Sequence, residues 1–214
     1  RLLAADGKWR AASTLLFEVD PNSKWYPAAI ATAARCCRQE CRVMAKHQDL
    51  HLMERANALT EQLKVAAEAL LRENDPFAPA VVAETAALLM RHELNPYHAA
   101  LDLIQRGLAA LARTDQKNRS RLEALQVQAL VGMGQYQEAL VILKKFDGSK
   151  EILIQLIFQL NDLEPQQSKA LAKNKSRLIA ELQMAVFKKL GGFSTVPEKK
   201  ALELIQVNAF GRLG

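Results

Sequence analysis

Two sets of side chains have the types and spacing to bind a metal. Cys37 and Cys41 stand one helical turn apart, and His47 and His51 repeat that interval in His47-Gln48-Asp49-Leu50-His51. Two thiolates and one or two imidazoles can complete a zinc tetrahedron. Structural zinc ligands, however, usually come as paired short-spaced knuckles, which this chain lacks. Gln48 also stands where a zinc protease carries its general-base Glu, and His92-Glu93-Leu94-Asn95-Pro96 has no second His. The expectation is no metal, with Cys36, Cys37 and Cys41 reduced and packed as small apolar side chains.

Charged residues offer a second kind of chemistry. Arg35, Arg38 and Arg42 fall on one helical stripe, and Arg119, Glu123 and Gln126 share a side of a later helix. Guanidinium groups fork onto carboxylates with two hydrogen bonds, so such a stripe suits an acidic peptide or a terminal carboxylate. The plainer alternative is a solvated face on which Arg38 and Arg42 pair with Glu40 between them. Lys169, Lys173, Lys175 and Arg177, followed by Lys188, Lys189, Lys199 and Lys200, make the last third basic enough to attract phosphates. Phe187 and Phe193 are the aromatics nearest to them, and both read as core rather than as base-stacking platforms.

Enzymatic constellations are missing. Gly132-Met133-Gly134-Gln135-Tyr136-Gln137 begins like a dinucleotide fingerprint but lacks its third glycine and a preceding strand. There is no Gly-x-Ser-x-Gly elbow, phosphate loop or paired-carboxylate motif. Neither a catalytic residue nor a cofactor is expected.

The elements that must position these residues are helices. Half of the 214 residues are hydrophobic, only 6% are aromatic, and Ala, Leu, Gln, Glu, Lys and Arg dominate, which predicts an all-α chain with ample core. The net charge of +6 is concentrated late: residues 148–214 carry 10 basic and 6 acidic side chains. No apolar run reaches the ~18 residues of a membrane span. Together with the clustered odd cysteines, that favours a soluble, cytoplasmic setting. The opening at Arg1 reads as a piece of a longer polypeptide.

Taken in order, helices are expected from Lys8 to about Val19, Trp25 to about Lys46, His51 to Arg72 and Pro79 to about His92. Asp20-Pro21-Asn22-Ser23 and Glu73-Asn74-Asp75-Pro76 supply stops. Asn95 is placed as an N-cap with Pro96 at the first helical position, and that helix runs to about Arg113. Further helices cover Lys117–Met133, the stretch from Gly134 to about Phe146, and one around Ile152–Leu160 so apolar that neighbours must cover several of its sides. A long helix then ends at Leu190 before Gly191-Gly192, and Thr195-Val196-Pro197-Glu198 fits a capping box for the last.

One pattern recurs through these helices. Gly134-x-Tyr136-x-x-Ala139, Gly7-x-Trp9-x-x-Ala12 and Asn95-x-Tyr97-x-x-Ala100 share a turn residue, an aromatic and an alanine, and His51-x-Met53-x-x-Ala56 is a degenerate copy. First positions at 7, 51, 95 and 134 are spaced by 44, 44 and 39. The pattern resembles the turn and second-helix start of a tetratricopeptide repeat, although the spacing exceeds that repeat's ~34 residues and overlaps the ~40–47 of HEAT and armadillo units. Glu123, Gln126 and Val127 depart from the consensus, which prefers a large aromatic, Leu and Gly at those places.

The resemblance implies an α-solenoid of stacked helical hairpins, a right-handed superhelix spanning residues 1–214 as a single domain with a sub-boundary near 147–149. It also implies that first helices line a concave groove. The chain is accordingly expected to be a protein-interaction scaffold binding a peptide or protein, an acidic one suiting Arg35, Arg38, Arg42, Arg119, Glu123 and Gln126. The alternative is a nucleic-acid-associated repeat using the basic last third.

Overall fold

Helix stops and caps account for most of the observed boundaries. The computed structural model describes residues 8–44, 50–90, 97–112, 115–162, 171–192 and 197–213, and those residues contain ten helices and no strand. They group into two compact units, Arg1–Asn118 and Arg119–Gly214, so the division falls inside a helix and the break at 147–149 lies within the second unit.

The first unit contains α1 (Trp9–Phe17), α2 (Tyr26–Met44), α3 (Leu50–Arg72), α4 (Ala78–Leu89) and α5 (Tyr97–Ala110). After α1, the Asp20 carboxylate accepts the Asn22 backbone N–H at 2.9 Å, a local turn that competes with helix continuation. Asn74, at φ 53°, closes α3: its N–H donates to Leu71 O and the Asp75 N–H to Leu70 O, which satisfies two carbonyls at the helix end. Asp75 Oδ1 then takes the Phe77 N–H at 2.7 Å, and Pro79 lies in the first turn of α4.

α2 packs against α1, α3 and α4, while α4 also packs against α3 and α5. The most enclosed helix of this unit is therefore the short α4, in which Ala78, Val81, Val82, Ala83, Ala86, Leu88 and Leu89 are all buried. Its apolar residues surround the whole cylinder, so neighbours on several sides remove each of them from water.

The second unit runs from α6 (Gln116–Gly132), which crosses the division, through α7 (Tyr136–Lys145), α8 (Lys150–Asp162), α9 (Leu171–Leu190) and α10 (Lys199–Leu213). Gly134 carries a φ of +81° at the α6–α7 turn. Its N–H donates to Val131 O and the next N–H to Leu130 O, so the position needs a residue that tolerates the left-handed region. α9 packs against α7, α8 and α10. On α8, Leu153, Ile154, Leu156, Ile157 and Leu160 are buried while Gln155 is exposed, the enclosed apolar helix anticipated from its composition.

At three copies of the recurring pattern the aromatic is the first residue of a helix: Trp9 of α1, Tyr97 of α5 and Tyr136 of α7. All three rings are half-buried, and the paired alanines Ala12, Ala100 and Ala139 are fully enclosed. The Asn95 cap and the Thr195 capping box lie outside the described residues. No helix among the described residues is long and apolar enough to cross a membrane.

Candidate functional site

The arginine stripe on α2 separates into residues with different surroundings. Arg35 is exposed, its guanidinium 3.5 Å from the Thr32 hydroxyl one turn earlier. Arg38 turns toward α4 instead, where its Nε lies 2.8 Å from Glu84 Oε2. The Glu84 side chain is only 2% exposed on a helix whose other residues, Thr85 apart, are apolar, and burying an ionised carboxylate there is costly without a cation beside it. Arg42 belongs to α2, but its side chain lies outside the described residues.

Glu40 reaches two other helices. Its Oε1 accepts from Arg55 Nε of α3 at 2.7 Å, and its Oε2 accepts from the Ser13 hydroxyl of α1 at 3.2 Å. Ser13 and Glu40 are both buried. α2 is thus tied to α1 and α3 through Glu40 and to α4 through Arg38. These contacts are polar ties inside a folded unit, and they withdraw Arg38 from the solvent-facing stripe.

Arg119, Glu123 and Gln126 lie on α6 in the second unit, all half-buried. Burial raises the Glu123 carboxyl above the usual carboxylate range; Arg119, one turn earlier, opposes the rise and Asp147 adds to it. The structure thus brings Arg119 and Glu123 together as near neighbours of opposite charge. Arg35 and Arg38 belong to the other unit.

The cysteines are free and buried on α2. Burial pushes the Cys37 thiol from 9.0 up to about 12, with the Glu40 carboxylate adding to the rise. Among the described residues no group of His, Cys, Asp and Glu could hold a metal ion; His47 and the His51 side chain lie outside them. Because the thiolate is the nucleophile, Cys37 is expected to resist a thiol reagent at pH 8 and to react at once in denaturant. The unfolded thiol ionises near 9.0 while the folded one holds its proton to about 12, so this residue's contribution to stability is complete below pH 9.0 and is lost as pH rises toward 12. Rapid labelling of Cys37 in native protein would contradict this.

Among the basic residues of the last third, Arg177 pairs with Glu181 at 3.5 Å and Lys199 with Glu203 at 3.7 Å, whereas Lys188 and Lys200 are exposed and form no ion pair among the described residues. Phe187 is buried, as its reading as core requires. Lys169 and Phe193, and the side chain of Lys173, lie outside the described residues.

A feature that sequence reasoning passed over is the outward side of α10. Leu202, Ile205 and Ala209 are buried, but Leu204, Val207 and Phe210 are 62%, 66% and 57% exposed. The signal was present as large apolar residues at three-residue intervals beside a second apolar set, a pattern that leaves α10 apolar on opposite sides. Leu15, Trp25, Val65, Phe77 and Val141 are also exposed, but on five other elements or turns, where single apolar side chains are ordinary. No protein-family model, curated protein or solved structure matches the chain.

Proposed function

We propose that this protein is a helical interaction module that binds another protein and is not itself an enzyme. The observation that carries the proposal is the stripe of Leu204, Val207 and Phe210 on α10. Water contact with three large side chains in one row is unfavourable by about 25 cal/mol for each Å² of apolar surface, and contiguous exposed apolar rows mark protein contacts. The occupant we assign is an amphipathic helix of a partner protein, laid along α10 as one more packed helix. Lys200, exposed one turn before Leu204, favours an acidic residue on that helix. Arg35, exposed on α2, presents its guanidinium to an acidic partner.

Stacked hairpins fit the same reading. Contacts between helices two apart in sequence, α2 with α4 and α7 with α9, are what hairpin stacking produces, and the recurring aromatic and alanine positions support it.

The test places a photo-crosslinking residue at position 207 in cells and then reconstitutes the captured protein with the purified chain. A one-to-one complex that weakens at least about a hundredfold with Val207→Asp is expected, the scale of a central apolar contact at an interface. Crosslinks formed only between copies of this chain, or a reconstituted complex indifferent to Val207→Asp, would overturn the assignment. The exposure of Val207 means the substitution should leave the fold intact, which a melting curve checks.

A further inference from the structure

A second surface lies at one end of the second unit, where chain segments far apart in sequence bring lysines together. The Lys189 ammonium of α9 donates to the backbone carbonyls of Lys144 at 3.3 Å and Phe146 at 2.9 Å, at the C-terminal end of α7. Those two bonds place the last turns of α7 and α9 side by side. Each last turn carries two lysines, Lys144 with Lys145 and Lys188 with Lys189, and all four are exposed. Lys150 opens α8 just after Phe146 and adds a further exposed cation, while Asp147 and Glu151 are the acidic residues of the same turn.

A helix C-terminus favours a cation, and Lys189 meets that need at α7 directly. The side-chain ammonium groups of Lys144, Lys145 and Lys188 form no hydrogen bond or ion pair among the described residues. Like charges gathered in this way repel one another in the free protein, and an anion relieves that repulsion. The second unit holds 14 basic and 9 acidic side chains, so +5 of the chain's +6 lies there.

We infer that this lysine edge binds the phosphate backbone of double-stranded nucleic acid without reading its sequence. The cations are all lysines, compact point charges suited to scattered phosphates, whereas carboxylate recognition is better served by the arginine fork. Phe146 and Phe187, the described aromatics of the same helix ends, are buried, so neither offers a ring for stacking an unpaired base and a duplex is the fitting form.

The experiment measures fluorescence anisotropy of the full chain with a labelled DNA duplex of about 20 base pairs and arbitrary sequence, between about 50 and 200 mM salt. The intact protein should bind, with affinity falling steeply as salt rises, by roughly 0.9 in log–log slope for each phosphate contact. The triple variant Lys144→Gln, Lys145→Gln, Lys188→Gln should lose about tenfold or more in affinity at the lower salt and flatten the slope by about 2–3. Lys189 is left in place because it caps α7. A charge-matched triple, Lys8→Gln, Lys24→Gln, Lys117→Gln, should bind like the parent. Absence of duplex binding by the parent, equal losses in both triples, or tighter binding to polyglutamate or to phosphatidylserine vesicles than to the duplex would each overturn the inference. Circular dichroism on both triples confirms that folding is retained.

Discussion

Glu40→Ala should lower the unfolding free energy by about 3–5 kcal/mol, because it leaves Arg55 without its carboxylate inside the fold, whereas the Ser13 hydroxyl keeps the Arg10 carbonyl as an acceptor at 2.9 Å. The lower part of that range is the better expectation, since the Arg55 side chain is 27% exposed and water can partly solvate the stranded cation. Urea denaturation should show a reduced midpoint at unchanged slope. The double variant Glu40→Leu, Arg55→Met should recover much of the loss, because a buried ion pair and apolar residues of similar volume are often nearly equivalent in stability. A loss below about 1 kcal/mol for Glu40→Ala would mean that the ties from α2 to α1 and α3 contribute no more than surface ion pairs.

Arg38→Ala is the second large effect, also about 3–5 kcal/mol, because it removes the guanidinium beside the Glu84 carboxylate on the most enclosed helix of the first unit. Glu84→Gln keeps the shape and removes the charge, so it should cost less than Arg38→Ala, and Arg38→Met with Glu84→Leu should restore stability. A double-mutant cycle isolates the pair, and a coupling of at least ~1 kcal/mol is expected. The same cycle distinguishes two uses of Arg38. A solvent-facing arginine held for a partner would cost little stability when removed, typically within about 0.5 kcal/mol. Arg35→Ala, at an exposed position on the same helix, provides that comparison.

Much of the helical layout was legible because its causes are local. Glu73-Asn74-Asp75-Pro76 contains a residue that tolerates positive φ, an acceptor for the next N–H and a proline, and α3 ends at Arg72 as those residues require. Gly134 is the corresponding signal between α6 and α7. The enclosure of α8 followed from its nearly continuous apolar surface. That α4 would be more completely buried was less evident, since twelve residues rich in alanine and valine state only that they are apolar, not how many neighbours reach them.

The site residues were less legible because a charge does not announce its partner. Spacing puts Arg38 on α2 near Glu40 in sequence, but it says nothing of Glu84, which another helix brings to 2.8 Å from its Nε. Glu40 in turn looked solvent-facing until α1 and α3 closed over it. Side chains of Arg and Glu reach several ångströms to either side of the helix, so partner choice depends on which helix packs there.

By itself, then, the amino-acid order determined that this chain is helical, where most helices stop, and which residues are buried by their own periodicity, because backbone hydrogen bonds and caps are satisfied within a few residues. Only the tertiary structure decided that Arg38 and Glu40 serve interhelical ties, that Cys37 is a protonated buried thiol, that Leu204, Val207 and Phe210 face outward, and that Lys144 and Lys145 meet Lys188 and Lys189 at one edge. Each of those facts depends on distances between segments far apart in sequence, and packing alone sets those distances.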